Sequence, residues 1–149
     1  MPISKKYIFI FLAVLLFVFY FTRSNKNPTS VVTINDKNIS VEVADTDEER
    51  TRGLSGRKSL EENHGMLFIF PQKSIQRFWM KDMNFPIDIV WIDGDKIVGF
   101  DEYIPPEGST PQKIYSSPLP VNKVLELPSG TVEDIKIKKG DKLILSLSS

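Results

Sequence analysis

From Ser30 onward the apolar residues recur mostly with the period of two that marks half-buried strands. "SVVTI" and "ISVEVA" flank "NDKN", whose Asn and Asp tolerate left-handed turn geometry, so a hairpin is predicted there. "DTDEERTRGLSGR" breaks the alternation. Thr46 can cap a short helix, Glu49 three residues on can close a capping box, and Gly53 is a natural stop. "MLFIF" is a continuous apolar strand ended by Pro71, and "IQRFWM" and "IDIVWID" read as successive strands joined by "KDMNFP". Pro86 stands at a first strand position, where proline costs no ladder bond. "DGDK" turns through Gly94 and Asp95 into "KIVGFDEYI", "VNKVLELP" returns to strand, Thr131 can open one helical turn, and "KLILSLS" closes the chain. About seven strands with two or three short helical pieces predict a β-rich α+β domain: a mainly antiparallel rolled sheet or a partly closed small barrel.

Within "RFWMKDMNFPIDIVWID" the alternation places Phe78 and Met80 on one face and Arg77, Trp79 and Lys81 on the other. In the next strand Ile87, Ile89 and Trp91 oppose Asp88, Val90 and Ile92, so both faces are apolar apart from Asp88. That is the signature of an internal strand covered on both sides. A carboxylate there must be paired or accept several hydrogen bonds. Asp88 is therefore expected to be mostly buried with at least two partners, either N–H groups of the Lys81 to Asn84 connection or an Arg or Lys side chain.

The N-terminus follows a different pattern. Lys5 and Lys6 precede an unbroken apolar block from Tyr7 to Phe21. The block is short for a span of about 20 residues. Thr22 and Ser24 make a poor cleavage site around Arg23, which favours an uncleaved signal anchor over a cleaved signal peptide. No lipid-accepting cysteine follows. The chain then divides into residues 1–22 as anchor or signal peptide, 23–29 as a polar linker, and 30–149 as one domain. The lysines before the block favour a domain outside the cytoplasm, tethered to the membrane through residues 7–21, with secretion after cleavage as the alternative.

Composition narrows the chemistry. The chain has no cysteine and a single histidine, His64, so thiol chemistry and a multi-histidine metal site within one chain are excluded. Lys and Arg number 19 in all; four of them (Lys5, Lys6, Arg23, Lys26) precede Ser30, leaving 15 in the domain against 19 Asp and Glu, a net of −4. That balance argues against nucleic acid as a partner. Asp45, Asp47, Glu48 and Glu49 suit a helix start better than a metal site, and Asp93, Asp95, Asp101 and Glu102 lack the later ligands of a calcium loop. His64, in a turn beside two glutamates and a glycine, suits a solvated or strand-entry position better than a general base. The stretch "PPEGSTPQKIYSSPLP" is a long proline-rich loop of the kind that covers a site or is mobile.

The series "EVADTDEERTRGLSGR", "HGMLFIF", "FWMKDMNFPIDIVWID" and "VLELPSGTVEDIKIKKGD" resembles the family called domain of unknown function 192, over essentially the whole domain. The resemblance implies a compact β-rich domain, often exported, and implies no reaction; no metal or cofactor is expected. Its signature falls on residues including Glu49, Arg50, Arg57, Trp79, Lys81 and Asp88.

Gathered in one cleft, those six residues would offer an aromatic wall, cations and a carboxylate, suited to a small polar or sugar-like ligand or a peptide end. A binding module ranks first among the functional readings. A structural envelope accessory comes second, and a hydrolase with Asp88 or Glu49 as base and Lys81 as stabiliser comes last, because no recognisable nucleophile or phosphate loop is present. The membrane expectation is checked by fractionation: full-length protein should stay with membranes through a high-salt wash, which strips electrostatic but not hydrophobic attachment. Recovery of a mature form starting near Asn25 would decide for secretion.

Overall fold

The computed structural model describes residues 30–146. The apolar block, the linker and the anchor expected before Ser30 lie outside them, and among the described residues no helix is long and apolar enough to cross a membrane. The elements in chain order are β1 (Ser30–Ile34), β2 (Lys37–Ala44), α1 (Asp47–Arg52), β3 (His64–Ser74), β4 (Arg77–Phe78), β5 (Ile87–Asp93), β6 (Lys96–Ile104), β7 (Tyr115–Ser116), β8 (Val121–Pro128), α2 (Thr131–Asp134) and β9 (Ile144–Ser146).

Seven strands form one mixed sheet in the order β6-β5-β8-β3-β2-β1-β9, while β4 and β7 pair separately. Within the large sheet every pairing is antiparallel except β2 with β3. The expected hairpin forms, with Asn35 and Asp36 both at positive φ. The sheet is open, with edges at β6 and β9, and no closed barrel forms. The run into β9 does meet the start of β6: Ile97 N–H donates to Asp141 O, and Gly140 N–H donates to Ile97 O. The expected adjacency of "IQRFWM" and "IDIVWID" is also absent. Only Arg77–Phe78 is strand, and it pairs with β7 inside the proline-rich loop.

Strand β5 lies between β6 and β8, and its residues Ile87 to Ile92 are all buried. Alternation sends them to two cores. Val90 and Ile92 join Leu67, Leu125, Leu127 and Val132 on the face covered by α2, while Ile87, Ile89 and Trp91 join Leu54, Phe68, Met80, Met83 and Tyr115 on the other. Each fully buried side chain of this size contributes about 1.5–3 kcal/mol. Close approach of β3 and β8 requires Gly65, where a Cβ would stand 2.8 Å from the Glu126 carbonyl oxygen. The proline-rich loop packs onto β6 at Gly99, where a Cβ would lie 3.0 Å from Pro118 Cγ.

Asp88 is fully buried, as expected, but its partners differ from those expected. Opposite it on β6 the ladder shifts register, so that Glu102 and Tyr103 face the one residue Asp88, as in a β-bulge. The Tyr103 N–H, at a φ of +53°, donates to Asp88 Oδ1 at 2.9 Å. Asp88 Oδ2 accepts the Val132 N–H at 2.9 Å. That donor is one of the orphan N–H groups at the start of α2, whose cap residue Gly130 has no side chain to offer. Asp88 thus pins the β6 bulge and α2 to β5, not the Lys81 to Asn84 connection. That connection is clamped instead by Gly56 N–H to Asp82 O and Ser55 Oγ to Lys81 O.

Asp88→Ala strands both donors, the Val132 N–H buried and the Tyr103 N–H partly so, whereas Asp88→Asn keeps one acceptor and most of the shape. With about 1–3 kcal/mol per orphaned group, denaturant midpoints should fall further for Ala than for Asn. Equal losses would show that the two hydrogen bonds do not carry the pinning.

Candidate functional site

The face holding Met66, Phe68, Ile89 and Trp91 carries a cavity walled by aromatic side chains. It measures about 270 Å³, small for a ligand pocket, and lies between the C-terminal end of α1, β4, and Phe68 and Phe70 of β3. Phe78 packs edge-on between Phe68 at 4.9 Å and Trp91 at 5.8 Å, forming an aromatic wall. Trp79 lines the mouth and is 60% exposed, with Lys81 Nζ 5.8 Å from its ring.

Helix α1 is fixed by its capping box: Glu49 N–H donates to Thr46 Oγ1, and the Glu49 carboxylate accepts from Thr46 N–H and Oγ1. Those hydrogen bonds from Thr46 hold the Glu49 carboxyl below the usual carboxylate range. Arg50 ties the helix to β3, donating to Ile69 O at 2.7 Å and to Asp45 O, pairing with Asp47 and lying over the Phe70 ring. Arg57 forms a two-pronged pair with Glu42 at 2.5 and 2.8 Å. The hydrogen bond to Arg57 lowers the pKa of Glu42 and raises that of Arg57.

At the cavity floor is Glu126. In the sheet it stands across from Met66 on one side and Ile89 on the other. It is only 6% exposed, and its Oε2 has no hydrogen-bond partner. Burial pushes its carboxyl up to about 8, against a smaller opposing pull from Arg57. At neutral pH it is therefore mostly protonated, a hydrogen-bond donor as well as an acceptor.

Of the six residues expected to share one cleft, Arg50 and Trp79 line this cavity. Arg57 acts on Glu126 through its charge from outside the lining, and Lys81 reaches only the Trp79 ring. Glu49 is outside the lining because its carboxylate is turned back onto the N-terminus of α1. Asp88 is outside it because strand alternation sends it to the opposite face of the sheet from its neighbours Ile87 and Ile89. Sequence reasoning missed Glu126, Arg52, Arg77 and Phe70. A signal for Glu126 existed: a lone carboxylate between Leu125 and Leu127 in an apolar strand, the same pattern that singled out Asp88. A more open hollow of about 390 Å³ lies beside Tyr103, Glu133 and Lys136, where the Tyr103 hydroxyl already donates to Glu133. Among the described residues no group of three or more His, Asp or Glu is placed to hold a metal ion.

The family model DUF192, "Uncharacterized ACR, COG1430", matches residues 30–145. The chain belongs to the DUF192 family. No curated protein matches it. Among solved structures, a protein from Sinorhizobium meliloti 1021 provisionally described as a transcription regulator is similar at 30% identity and a TM-score of 0.71, covering 78% of this chain and 91% of its own. A protein of unknown function from Novosphingobium aromaticivorans DSM 12444 is similar at 28% identity and a TM-score of 0.67, covering 78% of this chain and 83% of its own.

Glu126 makes stability pH-dependent. Its folded pKa lies above its unfolded value near 4.5, so the native state holds a proton that the unfolded chain releases. The contribution is fully present below about pH 4.5 and is lost as pH rises through about 8. Denaturant midpoints at pH 5 and pH 8.5 should show a loss of roughly 2–4 kcal/mol in the native protein, relative to Glu126→Gln over the same interval. Parallel pH profiles for the two proteins would show that Glu126 is solvated.

Proposed function

We propose that this DUF192 protein is a binding module whose cavity under α1 and β4 takes a small molecule, and that residues 7–21 tether it to a membrane with the domain outside the cytoplasm. The observation that carries the reading is the Glu126 carboxyl, buried, without a partner at Oε2, and opening into an aromatic-walled cavity. An unsatisfied buried polar group costs about 1–3 kcal/mol, and a leucine or methionine would fill the same strand position without that loss. A ligand group that meets the carboxyl removes the deficit.

The cavity rests on Trp79 and Glu126 in place of the cleft expected around Trp79, Lys81 and Asp88, with Asp88 and Glu49 in supporting roles. The net −4 of the domain speaks against carrying the transcription description of the Sinorhizobium protein over to this chain. A second reading draws on one specific observation: a carboxyl titrating at about 8 in an accessible cavity can give and take protons near neutral pH, as a general acid–base catalyst does. In that case Glu126, not Asp88 or Glu49, would be the acting group. A structural accessory role gains less support, since the cavity is open and not closed by apolar side chains.

A fragment screen by NMR on the full-length protein in detergent micelles tests the reading. Hits should shift resonances of Phe70, Phe78 and Trp79, and Glu126→Leu should abolish or weaken them while leaving the fold as stable or more stable. A screen with no fragment bound to these residues would overturn it. Release of a chemically altered fragment would move the conclusion to catalysis.

A further inference from the structure

Resting on the binding reading above, we infer that the ligand is a small organic anion: its charged group held at the cavity mouth by Arg52 and Arg77, its apolar body against Phe68, Phe78 and Trp79, and a neutral polar far end meeting Glu126. Electrostatics at the mouth exclude the opposite sign. The lining includes Arg50, Arg52 and Arg77, and its single acidic side chain is Glu126. Arg50 is already committed to Asp47 and two carbonyls. Arg57, outside the lining, is held by Glu42. Arg52 and Arg77 make no ion pair or side-chain hydrogen bond among the described residues, so their guanidinium groups remain available as two-pronged donors to a carboxylate.

Aromatic walls could instead welcome a cation. Here the faces that would do so already carry one: the Arg50 guanidinium lies 5.5 Å from the Phe70 centroid, and Lys81 Nζ lies 5.8 Å from that of Trp79. A cationic ligand would meet both. Depth decides which end goes in first. An ionised group on the floor would sit among Leu54, Phe68 and Met83 with one carboxyl as its nearest donor, which returns less than desolvation costs. A hydroxyl or carbonyl there suits a protonated Glu126, which both donates and accepts. The charged groups around Glu126 are Arg57, whose charge acts on it, with its partner Glu42, and the arginines of the cavity lining. Deprotonating Glu126 adds a negative charge below the bound anion, so affinity for it falls as the carboxyl ionises.

The test uses probes of one shape and three charges, 4-hydroxybenzoate, 4-hydroxybenzamide and 4-hydroxybenzylamine, with benzoate to vary the far end. Binding to full-length protein in micelles is followed through the two indole N–H resonances, of which exposed Trp79 should respond and buried Trp91, bonded to Asp101, should not. 4-Hydroxybenzoate should bind at least about tenfold more tightly than the amide, and the amine should not bind. The double variant Arg52→Ala, Arg77→Ala, both exposed positions that leave the core intact, should bring acid and amide level. Glu126→Leu should erase the preference for 4-hydroxybenzoate over benzoate, and Glu126→Gln, of nearly the same shape, should keep most of it. Amide binding equal to acid, or amine binding tighter, overturns the anion assignment while the pocket stands. Where the fragment screen also finds nothing at Phe70, Phe78 and Trp79, the binding reading fails and this inference with it.

Discussion

Both faces are covered along β5 from Ile87 to Ile92, along β8 from Val124 to Leu127 and along β3 from Gly65 to Phe68, so every side chain there leaves water whether it is apolar or not. Apolar residues gain from this, and a carboxylate must find partners or give up its charge. The domain contains one of each solution. On the α2 face Asp88 gives each oxygen a backbone N–H, one from a bulged strand and one from a helix start that has no capping side chain of its own. On the other face Glu126 has an unpartnered oxygen and a raised pKa. Two acidic residues in similar strand contexts thus take opposite tasks, one holding elements together and one lining a cavity.

The arginines divide in the same manner. Arg50 and Arg57 are consumed by short hydrogen bonds that dock α1 and the segment after it against β3 and β2. Their charge still reaches the cavity, because Coulomb interaction across a poorly solvated floor is weakly screened. Arg57 pulls the Glu126 pKa down without touching it, and burial outweighs the pull. The freedom of Arg52 is a consequence: the acids within reach of its charge are already taken, Glu42 by Arg57 and Glu49 by the cap. What remains at the mouth is cation over aromatic surface, a setting selective for charge before shape.

The elements that depend on near neighbours were legible in the chain. The Asn35–Asp36 turn, the Thr46–Glu49 capping box, the stop at Gly53, the Gly94–Asp95 turn and the internal placement of "IDIVWID" all follow from residues within a few positions of each other, where backbone geometry and capping chemistry act. The burial of Asp88 was also legible, because alternation alone dictates which neighbours surround it. Its partners were not: Tyr103 and Val132 lie 15 and 44 residues away, and the nearby Lys81 to Asn84 connection, the obvious choice by distance along the chain, is clamped elsewhere.

The candidate site belongs almost wholly to the second category. Trp79 and Arg50 declared themselves by residue type, but Glu126 becomes a cavity floor only because β8 is placed between β3 and β5, and β4 covers it only by pairing with a strand inside the proline-rich loop. The sequence by itself determined the β-rich class, the turns, the caps and which residues of each strand share a face, since these are set by local sterics and periodicity. Strand order, the open sheet, and which of two buried carboxyls is satisfied were decided by the tertiary structure, because hydrogen bonds and desolvation at those places join residues that the chain keeps far apart.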